Sequence, residues 1–74
     1  MEEKIIEAIS AQAKVDASLI TVDTNILDLD IDSLGILKII MDVESSFGVA
    51  FNDDEIVEIR TANDIKNLIL KKFN

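Results

Sequence analysis

The stretch Leu29-Asp30-Ile31-Asp32-Ser33-Leu34-Gly35-Ile36-Leu37-Lys38-Ile39-Ile40-Met41 changes character half-way along. Its first residues place acids at alternate positions and show no helical period, whereas those after Ser33 are apolar at three- and four-residue spacing. Asp32 is a natural N-cap, so a helix is predicted to start at Asp32 or Ser33 and to run to Phe47, with Gly48 in the C′ position that helices favour. Ile36, Ile39, Ile40, Val43 and Phe47 make one continuous stripe that can face a core. Leu34, Leu37 and Met41 make a second line at i, i+3 and i+7 that points elsewhere. A helix apolar on two sides is either surrounded or offers its second face to a partner. A chain with only three or four helices cannot surround it, so the second line reads as a docking surface beside a serine.

Upstream, Ile5, Ile6, Ile9 and Ala13 fall at helical spacing, which predicts an amphipathic helix over roughly the first 14 residues. From Val15 to Asp32 the period is lost. Asp16, Ser18, Thr21, Asp23, Thr24 and Asn25 suggest turns there, while Val15, Leu19, Ile20, Val22, Ile26, Leu27 and Leu29 can reach the core. A loop this long in a small domain is often functional. Downstream, Asn52 with Glu55 three residues on fits a capping box and predicts a short third helix. Thr61 with Asp64 starts a last helix on the same logic, with Ile65, Leu68, Ile69 and Phe73 on one face and Lys71 and Lys72 at its negative dipole end. The expected fold is therefore all-α: a four-helix bundle of three longer helices and a short third, with a long loop between the first two. With no linker, repeat or low-complexity stretch, residues 1–74 read as one domain.

Composition narrows the chemistry. The 74 residues are 49% apolar, ample for a folded unit, but a domain this short hides only about 60% of its unfolded surface. Cys, His, Tyr and Trp are absent, so neither a disulfide nor a thiolate metal site is available, and no Ser-His-Asp or Cys-His arrangement can form. A carboxylate pair would need a cleft that a thin helical core hardly encloses. An independent enzyme is not expected. The net charge of −8, from 15 acids against 7 bases, repels nucleic acid and anionic lipid and favours partners with a basic patch, although it also serves plain solubility. No apolar run reaches the roughly 18 residues of a membrane span, and Met1-Glu2-Glu3 does not read as a signal peptide. A monomer in a reducing, cytoplasmic compartment is the expectation.

Asp28, Asp30 and Asp32 also mimic the first half of an EF-hand loop. That loop needs glycine next and a bidentate glutamate at its twelfth position, where this chain has Ser33 and Ile39, so no metal site is expected. Asp32-Ser33-Leu34 by itself describes nothing more than an N-cap and a first turn. Its surroundings add more. With Phe47-Gly48, the acidic Asp53-Asp54-Glu55 and Ile59 ahead of Thr61, the segment resembles the phosphopantetheine-attachment region of the acyl carrier protein family. The similarity runs without gaps from about Ile26 to the last helix, some two-thirds of the chain.

The resemblance implies that Ser33 carries a 4′-phosphopantetheine arm, transferred from coenzyme A by a phosphopantetheinyl transferase. The arm would hold acyl groups as thioesters and present them to acyl-loading and acyl-processing enzymes of fatty-acid, polyketide or related biosynthesis. It implies that Asp32 and Leu34 belong to the surface the transferase reads, and that Leu37, Met41, Glu44 and Ile56 face partner enzymes. Phe51 and Ile59 match positions bordering an acyl crevice between the second and third helices, with plain core packing as their alternative. The chain departs from the family pattern at Asp30, where glycine is frequent; at Gly35, Lys38, Ser45 and Ser46, where acids are; and at Asn52, where proline is. Gly35 is expected to weaken the helix by roughly 0.5–1 kcal/mol relative to alanine. A less acidic second helix points to a specialised pathway with its own partners rather than housekeeping fatty-acid synthesis. An aminoacyl or peptidyl carrier, or a non-covalent acidic helical interaction module, are the competing readings.

Overall fold

The computed structural model describes residues 1–73. Four helices, α1 (Glu2–Ala13), α2 (Ser33–Phe47), α3 (Asp53–Ile56) and α4 (Ala62–Phe73), account for most of the chain, and the described residues contain no strand. The all-α reading holds, as does the long connection between α1 and α2. That connection is more ordered than a plain loop. It contains two 3-10 turns, Ala17–Leu19 and Ile26–Leu29, each begun by a side chain that accepts a backbone N–H two residues on: Asp16 from Ser18 and Asn25 from Leu27, both at 2.9 Å.

Local chemistry explains the helix boundaries. α1 has no side-chain cap, but Glu2 and Glu3 sit in its first turn, where the helix dipole favours negative charge. It ends at Lys14, whose left-handed backbone (φ 59°) lets its N–H bond the Ser10 carbonyl at 2.8 Å. Gly48 ends α2 in the same way at φ 66°, where a glycine bears no steric cost. The Asn52/Glu55 capping box of α3 is present in both directions, each bond 2.9 Å. Thr61 and Asp64 make the equivalent exchange at the start of α4, at 3.0 and 3.2 Å.

α1 packs on both α2 and α4. Ile5, Ile9, Ile39, Val43, Ile65 and Ile69 are the most completely buried side chains. Each full burial of that kind contributes about 1.5–3 kcal/mol. Ala8 joins them, a position the amphipathic reading of α1 does not single out.

Three residues expected to reach the core, Leu19 and Leu27 from the loop and Phe73 from the spacing of the last helix, lie outside it. Leu19 and Leu27 are exposed on the rims of the two 3-10 turns, which bury Ile20 and Ile26 in their place. Phe73 is exposed because the final turn of α4 lies uncovered among the described residues, with Leu70, Lys71 and Lys72 exposed as well. The long loop is nonetheless tethered at its far end. Ile26 N–H donates to Arg60 O at 2.8 Å, Asn63 N–H donates to Val22 O at 2.9 Å, and Asn25 and Thr61 form an isolated antiparallel bridge. These bonds bring the loop ahead of Ser33 against the α3–α4 connection.

Candidate functional site at the start of α2

Ser33 is the first residue of α2 and is exposed. Asp32, in extended conformation, accepts the Gly35 N–H with its side chain at 2.7 Å, and its carbonyl accepts the Ile36 N–H at 3.0 Å. The N–H groups of Ser33 and Leu34 therefore stay without an intrahelical acceptor, next to the Ser33 hydroxyl. Among the described residues that hydroxyl forms no hydrogen bond. A hydroxyl that is solvent-facing, unpaired and set at the positive end of a 15-residue helix is well placed to bear a phosphate group.

The approach to α2 is shaped by backbone conformation. Asp30 ends the second 3-10 turn in the left-handed region (φ 60°), which Asp tolerates better than most residues. Asp30 thus shapes the turn and Asp32 caps the helix, and no group of three acids that could hold a metal ion forms among the described residues. Gly35 is buried, and its meaning differs from the sequence expectation. A Cβ there would lie 2.5 Å from Ile31 Cγ2 and 3.2 Å from Asp32 Oδ1. Its absence makes room for the Ile31 side chain and the Asp32 cap, so alanine is not the better residue at this position.

Two openings flank the site. On one side a polar cleft of about 420 Å³ is lined by Gln12, Lys14, Asp30, Asp32 and Lys38, among others. On the other, Ser33 opens into an open groove of about 430 Å³ that is mostly apolar. Ile36 and Leu37 of α2 form one wall of it; Ile56, Val57 and Ile59 in and after α3 form the opposite wall; Leu27 and Arg60 complete the rim.

The residues that sequence reasoning assigned to the site divide accordingly. Leu34, Leu37 and Met41 are exposed, at 60%, 47% and 64%, and make one apolar line leading away from Ser33. Ile56 is half-buried at the edge of the groove. Ile59 lines the groove, whereas Phe51 does not: it is buried in the core with the Lys72 ammonium 5.8 Å from its ring centroid. Glu44 is half-buried, and one of its carboxylate oxygens accepts the Phe51 N–H at 2.9 Å, holding the α2–α3 connection from within. Lys72 likewise does more than offset a helix dipole, since it pairs with Glu55 at 2.9 Å. The Asn52 N–H, and then Lys72, hold the Glu55 carboxyl below the usual carboxylate range. Arg60, Leu27 and Val57 escape sequence reasoning. They reach the groove only because the loop pairs with the α3–α4 connection, and no local motif signals that pairing.

Comparison with known proteins agrees with this geometry. Residues 3–69 match the family described as "Phosphopantetheine attachment site". The chain is 38% identical over 73 residues to the acyl carrier protein of Petrotoga mobilis, spanning 97% of this chain and 86% of that protein. It is 36% identical over 72 residues to the acyl carrier protein of Syntrophobacter fumaroxidans, covering 96% and 89%. It belongs to the acyl carrier protein family. As a family member it is a carrier and not an enzyme, it bears covalent phosphopantetheine, and it works with partner enzymes. For this carrier, the lack of His and Cys is no deficit, because the arm brings its own thiol. No helix of the described chain is long and apolar enough to cross a membrane.

Proposed function

We propose that Ser33 Oγ is the attachment point of the arm and that this carrier serves a specialised acyl pathway through the apolar line on α2. The observation that carries the first part is the exposed, unpaired hydroxyl at the start of α2, beside the N–H groups of Ser33 and Leu34. In the transfer, Ser33 Oγ displaces adenosine 3′,5′-bisphosphate from the phosphorus of coenzyme A and gives up its proton to a base of the transferase. The resulting phosphodiester is anionic and meets two unengaged backbone donors and the positive helix end. Once attached, the arm supplies a thiol that holds acyl groups as thioesters.

Asp32 and Leu34 flank the hydroxyl and form the surface for the transferase. Leu37 and Met41 continue it along α2 for acyl-loading and acyl-processing enzymes, with Ile56 across the groove and Glu44 at the far end. The charge around this surface supports a dedicated partner set. Lys38 is exposed within α2, and no acid lies in the helix's first turn. A basic patch that docks on an acidic helix elsewhere would meet a weaker field here.

The test is incubation of the apo protein with a broad-specificity phosphopantetheinyl transferase and coenzyme A. Intact mass is expected to rise by one phosphopantetheinyl group, and Ser33→Ala to abolish the rise. A Ser33→Ala protein that still gains the group would refute the assignment. Loading of the holo protein by standard fatty-acid synthesis enzymes, as efficient as that of their own carrier, would refute the specialised pathway.

A further inference from the structure

We propose that Arg60 binds a carboxylate at the far end of the acyl cargo, so that the groove beside Ser33 selects chains that are apolar along their length and anionic at their tip. The proposal deepens the carrier reading of Ser33 and rests on it. Arg60 is the only arginine of the chain and, among the described residues, the only charged side chain lining the groove. Its guanidinium is held rather than free-swinging, because Nη1 donates to the carbonyls of Val57 at 2.8 Å and Ile59 at 3.1 Å. That leaves the N–H groups of Nε and Nη2 as donors. The ion pairs among the described residues are Lys66–Glu2 and Lys72–Glu55, so no carboxylate of the described residues pairs with Arg60. Asp64, close in sequence, instead accepts the backbone N–H groups of Arg60 and Thr61.

A cation in this place works against docking by partners with basic patches, on a chain whose net charge is −8. Its use is better sought inside the groove. A planar guanidinium with donors to spare matches a carboxylate, which it can grip through two parallel bonds. The phosphodiester on Ser33 is a poorer match, because the Ser33 and Leu34 N–H groups already face it. The apolar walls formed by Ile36, Leu37, Ile56 and Val57 cover the methylene part of such a chain.

The experiment loads the apo protein, through the same transferase, with coenzyme A amides ending in a hexanoyl or an adipyl group; the two differ by a terminal carboxylate and resist hydrolysis. The adipyl form is expected to melt roughly 2–5 °C above the hexanoyl form at low salt. That gap should vanish in Arg60→Gln, persist in part in Arg60→Lys, and shrink at about 0.5 M salt. The Arg60 Nε–H resonance in nuclear magnetic resonance spectra should move with adipyl and stay in place with hexanoyl. Equal melting points, or a gap that survives Arg60→Gln, would overturn the proposal. So would an Nε–H resonance already moved by the bare arm, which would make the phosphodiester the anion. Intact mass reports separately whether the arm was attached to Ser33, so a failure of the carrier reading is distinguishable from a failure at Arg60.

Discussion

The two faces of α2 use the same kinds of side chain for opposite ends. Ile39, Ile40 and Val43 are buried against the other helices, while Leu34, Leu37 and Met41 stand in solvent on the same 15-residue helix. All six are apolar, and hydrophobicity alone does not sort them; the angular position around the helix does. The buried face holds the helix in place, and the exposed face keeps an apolar line beside Ser33 at the cost of leaving it wet. Stability and function should therefore separate cleanly along one helix. Ile39→Ala is expected to lower stability by about 2–5 kcal/mol, enough to threaten folding of so small a domain. Met41→Ala should leave stability within about 0.5 kcal/mol of the native protein while slowing acyl transfer by partner enzymes. Chemical denaturation of both variants, beside an acyl-loading assay, checks this. A Met41→Ala protein as destabilised as Ile39→Ala would erase the contrast.

Gly35 sharpens the same comparison, because it lies on the buried face next to the site. By helix propensity alone, Gly35→Ala should stabilise α2 by roughly 1 kcal/mol. The crowding against Ile31 and the Asp32 cap reverses the sign, and a loss of about 1–3 kcal/mol is expected. Gly35→Ala should cost less when made in an Ile31→Ala background, since Ile31→Ala removes the atom that is struck. Thermal melts of the single and double variants decide between propensity and packing.

What could be read in the sequence follows from how local each determinant is. The starts of α3 and α4 rest on residues three apart, Asn52 with Glu55 and Thr61 with Asp64, and the end of α2 rests on Gly48 alone; all three are legible. The exposed apolar line of α2 is legible too, because periodicity tells which residues share a face. Periodicity does not tell what covers that face, which is why Phe73 looks like a core residue and is exposed, and the aperiodic loop offers only hydrophobicity as a guide, which fails at Leu19 and Leu27. Phe51 and Ile59 look alike as crevice candidates, yet only Ile59 lines the groove. Arg60 carries no motif, and it meets the Ser33 groove through hydrogen bonds linking Val22 and Ile26 to residues more than thirty positions away. Pairings of that kind are a property of the whole fold.

The Asp32 cap joins the site to the stability of α2 more modestly. Asp32→Ala should remove about 1 kcal/mol by leaving the Gly35 N–H without its acceptor, while Asp32→Asn, itself a good cap, should retain most of it. If Asp32 acts on the transferase through its charge, the asparagine variant will fold like the native protein yet be modified more slowly. Melting midpoints and the rate of mass gain separate the two roles.

The smallest effect is expected at α3, where the groove's second wall is fastened by polar contacts more than by burial. Glu55 accepts the Asn52 N–H and binds Lys72, and its lowered pKa gives those contacts a pH signature. A carboxyl whose folded pKa lies below its unfolded value contributes stability that is fully present above the unfolded pKa and lost as pH falls through the folded one. Acidification below about pH 4.5 should thus loosen α3 in the native protein. Glu55→Gln should flatten that acid limb and lower the melting point slightly at pH 7. A counter-effect runs in parallel, since protonating the other acids relieves the mutual repulsion behind the net charge of −8. The informative quantity is therefore the difference between the native and Glu55→Gln melting curves across pH, in which the shared repulsion cancels. A difference that stays constant from pH 7 to pH 3 would show that Glu55 does not hold α3 through its charge.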